Sequence, residues 1–266
     1  MVVPTFWCAI IFFSCIFLVL FIFGVACLAE ALENVDYEKR YDDLCENEAA
    51  SGTSCTFTIS LSEDFESPHI YYKMGNFYAN HRKYVMSRSY EQLRGEKVSK
   101  GDVQEFCDPI LANKDIPTNM SYTGNALNDN DLAYPCGLIG KYRFTDRFAF
   151  MNSNSTTISI DSSTIAHTND KDLKFKNVKN SENIQWLDHE QQHLMVWYQM
   201  ESFPDFIKFY GKMNGKLAKG DYTVTVSNLW DTKAIKAEKY LYISTVNDLG
   251  GTNVFLGKHL VLYIIS

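Results

Sequence analysis

His189-Glu190-Gln191-Gln192-His193 has the spacing of a zinc-protease motif. In that motif two histidines one helical turn apart hold zinc and the glutamate acts as general base. The surroundings argue against it. Gln191 and Gln192 stand where an apolar helix face is needed, and no helical period extends to either side. The longer form of the motif fails as well, with Val196 in place of glycine and Gln199 in place of the third histidine. The apolar run that follows, Leu194 to Tyr198, reads as a strand, which would set the two rings roughly 13 Å apart. Ligands of one zinc must each lie ~2 Å from it. Gly251 to Lys258 hints at a phosphate loop, but one residue too many separates its glycines and His259 stands where Ser or Thr would bind magnesium. There is no G-x-S-x-G elbow and no Cys-x-x-Cys pair. Asp170, Asp172 and Glu201 read as solvated acids. No catalytic residue, metal site or cofactor is expected.

The densest mixture of functional groups runs from Ile70 to Arg88, where Tyr71, Tyr72, Phe77, Tyr78 and Tyr84 interleave with His81, Arg82, Lys83 and Arg88. Stackable rings among basic groups suit single-stranded nucleic acid. A formal net charge of -7 argues against that partner. The run reads instead as a half-buried aromatic strand followed by a solvated basic rim.

The start of the chain reads as a membrane anchor. Met1 to Ala29 carries no charged residue, and ~20 apolar residues suffice to span a bilayer. The length of the segment and its lack of a basic start favour an uncleaved anchor over a cleaved signal, although Ala29-Glu30-Ala31 resembles a cleavage site. Cys8, Cys15 and Cys27 lie within the apolar segment, while Cys45, Cys55, Cys107 and Cys136 follow it. An even set outside the span reads as disulfides in an oxidising compartment. Two sequons, at Asn119 and Asn154, fall in the same region.

The region after the span is expected to be mainly β: an antiparallel β-sandwich-like ectodomain with short helical inserts, preceded by an N-terminal transmembrane helix. Thr56 to Ser62 and Asp221 to Ser227 alternate strictly, and Lys239 to Thr245 is rich in aromatic and β-branched residues. Leu194 to Tyr198 is a further strand candidate, and short strands broken by turns are expected between Phe148 and Ile165. The best helix candidate starts at Pro204 and ends at Gly211. Lys114 to Tyr134 reads as a long loop. The expected boundaries are residues 1–29 for the span and 30–254 for the ectodomain.

The landmarks fall into one order. Tyr71-Tyr72-x-x-Gly75-Asn76-Phe77-Tyr78-x-Asn80-His81-Arg82-Lys83-Tyr84-Val85-x-Ser87-Arg88 is followed by Cys107-Asp108-Pro109 and Pro135-Cys136-Gly137-Leu138-Ile139-Gly140. Then come Ile165-Ala166, Asp170-Lys171, Lys174-Phe175, Val196-Trp197 and Phe203-Pro204-x-Phe206-x-Lys208-x-Tyr210-Gly211. Leu217-x-x-Gly220-x-Tyr222 and Leu249 to Gly257 close the series. This order resembles the cell cycle control protein 50 / ligand-effect modulator family, the non-catalytic β-subunits of type IV P-type ATPases, which are phospholipid flippases. The resemblance covers essentially the whole chain. Three features depart from it. The N-terminal cytosolic tail is nearly absent, and Lys258 to Ser266 is too short to complete the second span that the family carries. Two family motifs are also altered: Trp197-Tyr198-Gln199-Met200 replaces a Trp-Met-Arg-Thr run, and Phe144-Thr145-Asp146 replaces a sequon.

The resemblance implies disulfides Cys45–Cys55 and Cys107–Cys136. It also implies the start of a second, incomplete span at residues 255–266 and a heterodimer with a type IV P-type ATPase among membrane lipids; the sequons at Asn119 and Asn154 are the expected glycan sites. Such a subunit escorts the ATPase out of the endoplasmic reticulum and supports its transport cycle, with its ectodomain lumenal or extracellular. Tyr71, Tyr72, Phe77, Tyr78, Tyr84 and Arg88 are the expected partner interface. The alternative from another class is a glycosylated single-span receptor or adhesion ectodomain, and a zinc protease stands well behind both.

Overall fold

The computed structural model describes residues 5–45, 54–180, 182–247 and 250–251. The expected second span and the phosphate-loop-like stretch from Thr252 onward lie outside these residues. Helix α1 runs from Phe6 to Glu33, 28 residues. At 1.5 Å per residue it is ~42 Å long, against ~30 Å of bilayer hydrocarbon. It passes the expected end at Ala29 because Glu30-Ala31-Leu32-Glu33 are all good helix formers.

Nine strands follow among the described residues: β1 (Asp36–Arg40), β2 (Ser54–Leu61), β3 (His69–Gly75), β4 (Arg147–Asn152), β5 (Thr157–Ile158), β6 (Ile160–Asp161), β7 (Phe206–Met213), β8 (Gly220–Ser227) and β9 (Glu238–Ser244). They form a five-stranded sheet, ordered β1-β9-β3-β7-β6, and a four-stranded sheet, ordered β2-β8-β4-β5. Every pairing within them is antiparallel. Short helices α2 (Arg82–Met86), α3 (Tyr90–Leu93), α4 (Lys100–Cys107), α5 (Leu138–Lys141) and α6 (Gln192–Tyr198) occupy the long connections. The fold class matches the sequence reading.

Alternation along the strands sends one face of each sheet into a shared core. Ile70, Tyr72, Met74, Leu241 and Ile243 come from the larger sheet, and Ile59, Leu61, Phe148, Phe150, Val224 and Val226 from the smaller. Rings fill the space at one end. Tyr72 stacks on Phe144 at 3.8 Å between centroids, and Trp197 meets Trp230 edge-on at 5.6 Å. Cys45 is bonded to Cys55 and Cys107 to Cys136, each with 5.5 Å between Cα atoms.

An ion pair sits inside this core. Lys239 faces inward from β9 with its side chain buried. Its ammonium donates to Asp146 Oδ2 at 2.6 Å, to the Trp230 carbonyl at 2.5 Å and to Asn228 Oδ1. All three ammonium protons are therefore matched. Asp146 also accepts the Tyr41 hydroxyl at 2.8 Å and the backbone N–H groups of Leu229 and Trp230, both at 2.8 Å. Burial, reinforced by Asp146, pushes the Tyr41 pKa well up, so the hydroxyl remains a donor.

Two local assignments are corrected by the structure. The stretch from Pro204 to Gly211 is not a helix, because Phe206 to Met213 is strand β7. Phe206 and Lys208 point inward and Ile207 outward, which is strand alternation. Gly211, read as a helix stop, is instead a close-packing glycine. A Cβ there would lie 2.4 Å from Ile160 Cγ2 in the adjoining β6. Conversely, Leu194 to Tyr198 is not a strand but the body of α6, buried on every side. A short, wholly apolar run carries no period that separates a buried strand from a buried helix.

Removing the carboxylate at the centre of the core leaves the Lys239 charge uncompensated. Asp146→Asn should destabilise the chain by ~3–5 kcal/mol. Lys216→Met, which breaks exposed ion pairs to Asp64 and Glu66, should leave the unfolding midpoint unchanged. Thermal unfolding of the full chain in detergent checks both expectations.

Candidate partner interface

The sequence singled out His189 and His193 for chemistry, and the start of α6 separates them. Gln191 is the extended residue before the helix, so His189 lies outside it and His193 within its first turn. They are thus not one turn apart on one helix face, and the strand spacing expected between them is not the reason. His189 is fully buried; its Nδ1 meets the Lys176 carbonyl at 3.1 Å, and its backbone N–H donates to Asn177 Oδ1 at 2.9 Å. His193 packs its ring on Tyr210 with centroids 4.7 Å apart. Glu190 accepts the Asn177 backbone N–H at 3.2 Å. The three side chains knit neighbouring segments together. Among the described residues no three His, Cys, Asp or Glu side chains are grouped as metal ligands would be.

Two of the acids read as solvated have structural partners. Asp170 is buried and accepts from Lys174 at 2.6 Å, while Glu201 pairs at 2.6 Å with the buried ammonium of Lys208.

The aromatic run also differs from its sequence reading. Tyr72 is 2% exposed, Phe77 is buried, and Tyr84 packs edge-on against Phe77 at 5.3 Å. Arg88, expected on a solvated rim, is 7% exposed and donates to the Tyr198 carbonyl at 3.2 Å. Alternation in β3 and the turn after it direct Tyr72 and Phe77 into the core, while α2 and the residues after it pack Tyr84 and Arg88 against it. Of the six expected interface residues, Tyr78 is 61% exposed and Tyr71 half-buried on the sheet's outer face. Tyr78 lies in a turn tied to the 202–205 loop: Phe77 N–H donates to the Pro204 carbonyl, and Asn80 Nδ2 to the Ser202 carbonyl. That pairing sets Tyr78 in the same loop cluster as Phe203, which is 71% exposed.

The outer faces of the two sheets differ in chemistry. The smaller sheet presents hydroxyls and acids across β2 and β8: Ser54 with Ser227, Thr56 with Thr225, and Ser60 donating to Asp221. The larger sheet presents rings. Tyr71 pairs with Tyr242 of β9 and Phe209 of β7, with centroid distances of 6.0 and 5.2 Å, and His69 stacks on Phe209 at 5.4 Å. Ile207 lies exposed beside them. Amphipathic rings half-covered on an open sheet face are the composition of a protein interface. His69, Phe209 and Tyr242 were missed in the sequence. Their signal was apolar residues at consecutive positions, as in Tyr71-Tyr72 and Tyr240-Leu241-Tyr242-Ile243, which places rings on both faces of a strand.

This face begins next to α1. Only Asn34 and Val35 separate the helix from β1, and β1 pairs directly with β9. Val35 N–H donates to Thr245 Oγ1 at 2.8 Å, Asn34 Nδ2 to the Gly250 carbonyl at 3.2 Å and Asn247 Nδ2 to the Glu30 carbonyl at 2.8 Å. The chain therefore returns after β9 to the C-terminal end of α1. Asp36, His69 and Ser244 share one register row at that end. Tyr71 and Tyr242 lie two rows further, ~7 Å up the sheet. On α1 itself the large side chains from Phe6 to Val25 are exposed, while Gly24, Cys27 and Ala31 are buried. Both sequon residues, Asn119 and Asn154, are exposed, the latter in the turn between β4 and β5.

Comparison with known proteins gives one consistent result. The model of the LEM3 (ligand-effect modulator 3) family / CDC50 family matches residues 26–266. ALA-interacting subunit 3 of Arabidopsis thaliana is 31% identical over 260 residues, covering 88% of this chain and 69% of that protein. Putative ALA-interacting subunit 4 of the same plant is 30% identical, covering 88% and 72%. Cell cycle control protein 50A of Bos taurus is 26% identical over 238 residues, covering 76% and 62%.

Burial pushes the pKa values of His189 and His193 down to about 4, so both are neutral in the folded chain at neutral pH. The unfolded chain takes up protons near the ordinary histidine value of ~6.5. Between these values the unfolded state binds more protons, so stability falls as pH drops from ~6.5 to ~4. Denaturant midpoints of the full chain should decline across that window. In His189→Gln the slope should shrink by about one proton. A wild-type midpoint that stays flat down to pH 4.5 contradicts this.

Proposed function

The chain belongs to the LEM3/CDC50 family, and on that premise we propose that it is a non-catalytic accessory subunit of a phospholipid-translocating type IV P-type ATPase. Its role is to escort the ATPase out of the endoplasmic reticulum and to support its transport cycle. The ATPase carries the chemistry of ATP hydrolysis, and the two chains form a heterodimer in the membrane. The observation that carries this reading is the family match from residue 26 to 266. Relatives named ALA-interacting subunits support a role in partnership.

The architecture supports the same reading. Among the described residues a β-domain follows α1, the one helix there that is long and apolar enough to cross a membrane. The two disulfides fit a lumenal or extracellular domain of the secretory route, with glycans at the exposed Asn119 and Asn154. The ATPase contacts the outer face of the larger sheet around Tyr71, Phe209 and Tyr242, and exposed Tyr78 contributes a second contact. Within the bilayer α1 packs by apolar contact through its exposed large side chains between Phe6 and Val25.

Deleting this protein should retain a type IV P-type ATPase in the endoplasmic reticulum and abolish its lipid flipping. Affinity purification of the full chain from native membranes should recover that ATPase. Recovery of no such ATPase, with the chain at the cell surface alone, overturns the proposal in favour of a single-span receptor.

A further inference from the structure

The aromatic face of the larger sheet ends, on the side of the membrane, in a histidine. His69 opens β3, and pairing across the sheet places Asp36, Ser244, His69, Lys212 and Asp161 in one register row from β1 to β6. The imidazole joins the rings of that face. It stacks on Phe209 at 5.4 Å between centroids with the planes 27° apart, and on Tyr71 at 6.4 Å and 23°. Its Nδ1 meets the Ser67 carbonyl at 3.0 Å. A carbonyl can only accept, so Nδ1 carries the proton of the neutral ring and Nε2 keeps a lone pair. Nε2 is therefore the atom that takes up a proton when the pH falls.

The surroundings do not favour that proton. Lys212, the register neighbour on β7, is the charged side chain that bears on the imidazole, and it repels the protonated form. The acids of the row, Asp36 in β1 and Asp161 in β6, stand two strands away on either side, roughly 10 Å across the sheet. From β9 come Ser244 and Tyr242, and burial keeps the Tyr242 phenol protonated. Lys73, further along β3, is neutralised by Glu38 at 2.8 Å. Burial and Lys212 together outweigh the Ser67 carbonyl, so the His69 pKa lies below the ordinary histidine value.

We propose that His69 makes docking of the ATPase pH-sensitive: the partner seats on the neutral imidazole, and a proton on Nε2 loosens it. The inference rests on the reading of the aromatic face as the ATPase contact. Its sign follows from desolvation. A partner laid over Tyr71 and Phe209 also covers the ring stacked on them and excludes water from it. Stacked rings attract a cation, but they do not replace the hydration of an imidazolium that has no carboxylate beside it. The ring must therefore be neutral in the complex. Association is complete above the pKa of the free chain's imidazole and weakens as pH falls through it. Below that point the dissociation constant should rise close to tenfold per pH unit. An acidic compartment would then release what a neutral one assembles.

The test captures the ATPase from detergent-solubilised native membranes on the tagged full chain. The complex is washed in steps from about pH 7.5 to about pH 5, the range in which histidine titrates, and the ATPase retained is measured. The unaltered chain should hold the ATPase at the neutral end and lose it progressively toward the acid end. His69→Phe keeps a ring in the stack and takes up no proton, so it should retain the ATPase further into acid. Any loss it still shows belongs to the buried His189 and His193 or to the ATPase itself. His69→Lys, charged throughout, should bind weakly at every pH. A retention curve that stays flat in the unaltered chain, or one that His69→Phe reproduces, overturns the proposal and leaves the partner assignment standing. Failure of the unaltered chain to capture the ATPase at any pH overturns the partner assignment and the proposal with it.

Discussion

The buried ammonium of Lys239 is the constraint on which the rest of the molecule depends. It projects inward from the strand that pairs with both β1 and β3, at a position where alternation calls for an apolar residue. Its three protons and the Asp146 carboxylate gather Tyr41 from the end of β1, Asn228 and Trp230 from the segment after β8, and Asp146 from the entrance to β4. Strands of both sheets are thereby fixed to one point. A single-residue slip of β9 would carry Lys239 to the outer face and strand Asp146 in the core. The ion pair therefore specifies register more than it adds net stability, since a buried pair gains little over an apolar substitute of the same shape.

Register fixed in this way has a consequence at the surface. Once Lys239, Leu241 and Ile243 face inward, Tyr240 and Tyr242 must face outward, and the antiparallel ladder aligns Tyr71 and Phe209 beside Tyr242. The other sheet, with the same alternation, turns a ladder of serine and threonine hydroxyls to solvent. One face is thus suited to water and the other to a protein. The two-residue joint between α1 and β1, bonded to Thr245 and Gly250, sets the aromatic face directly beside the membrane span. A partner embedded in the same bilayer meets that face without crossing any distance.

Much of this was legible in the residues. Strict alternation exposed β2 and β8, the uncharged N-terminal stretch exposed α1, and the order of motif blocks gave the family. Other features were hidden for physical reasons. Leu194 to Tyr198 and Phe206 to Met213 exchanged roles because a short apolar run carries no period, and because a glycine that ends a helix looks the same as one that admits a neighbouring strand. Arg88 read as a rim charge and nothing local marked Lys239 as buried, since their partners, Tyr198 and Asp146, lie 110 and 93 residues away. Aromatic density was visible from Tyr71 to Tyr84, but only the register shows that Tyr72, Phe77 and Tyr84 fill the core while Tyr71 shares the open face with residues far along the chain.

The central claim is that the outer face of the larger sheet receives the ATPase. A photo-crosslinking amino acid placed singly at Phe209, at Tyr242, or at Thr58 on the hydroxyl face tests it in native membranes. Irradiation should join positions 209 and 242 to a type IV P-type ATPase and leave position 58 unlinked. Crosslinks to that ATPase from position 58, with none from 209 or 242, would contradict the claim.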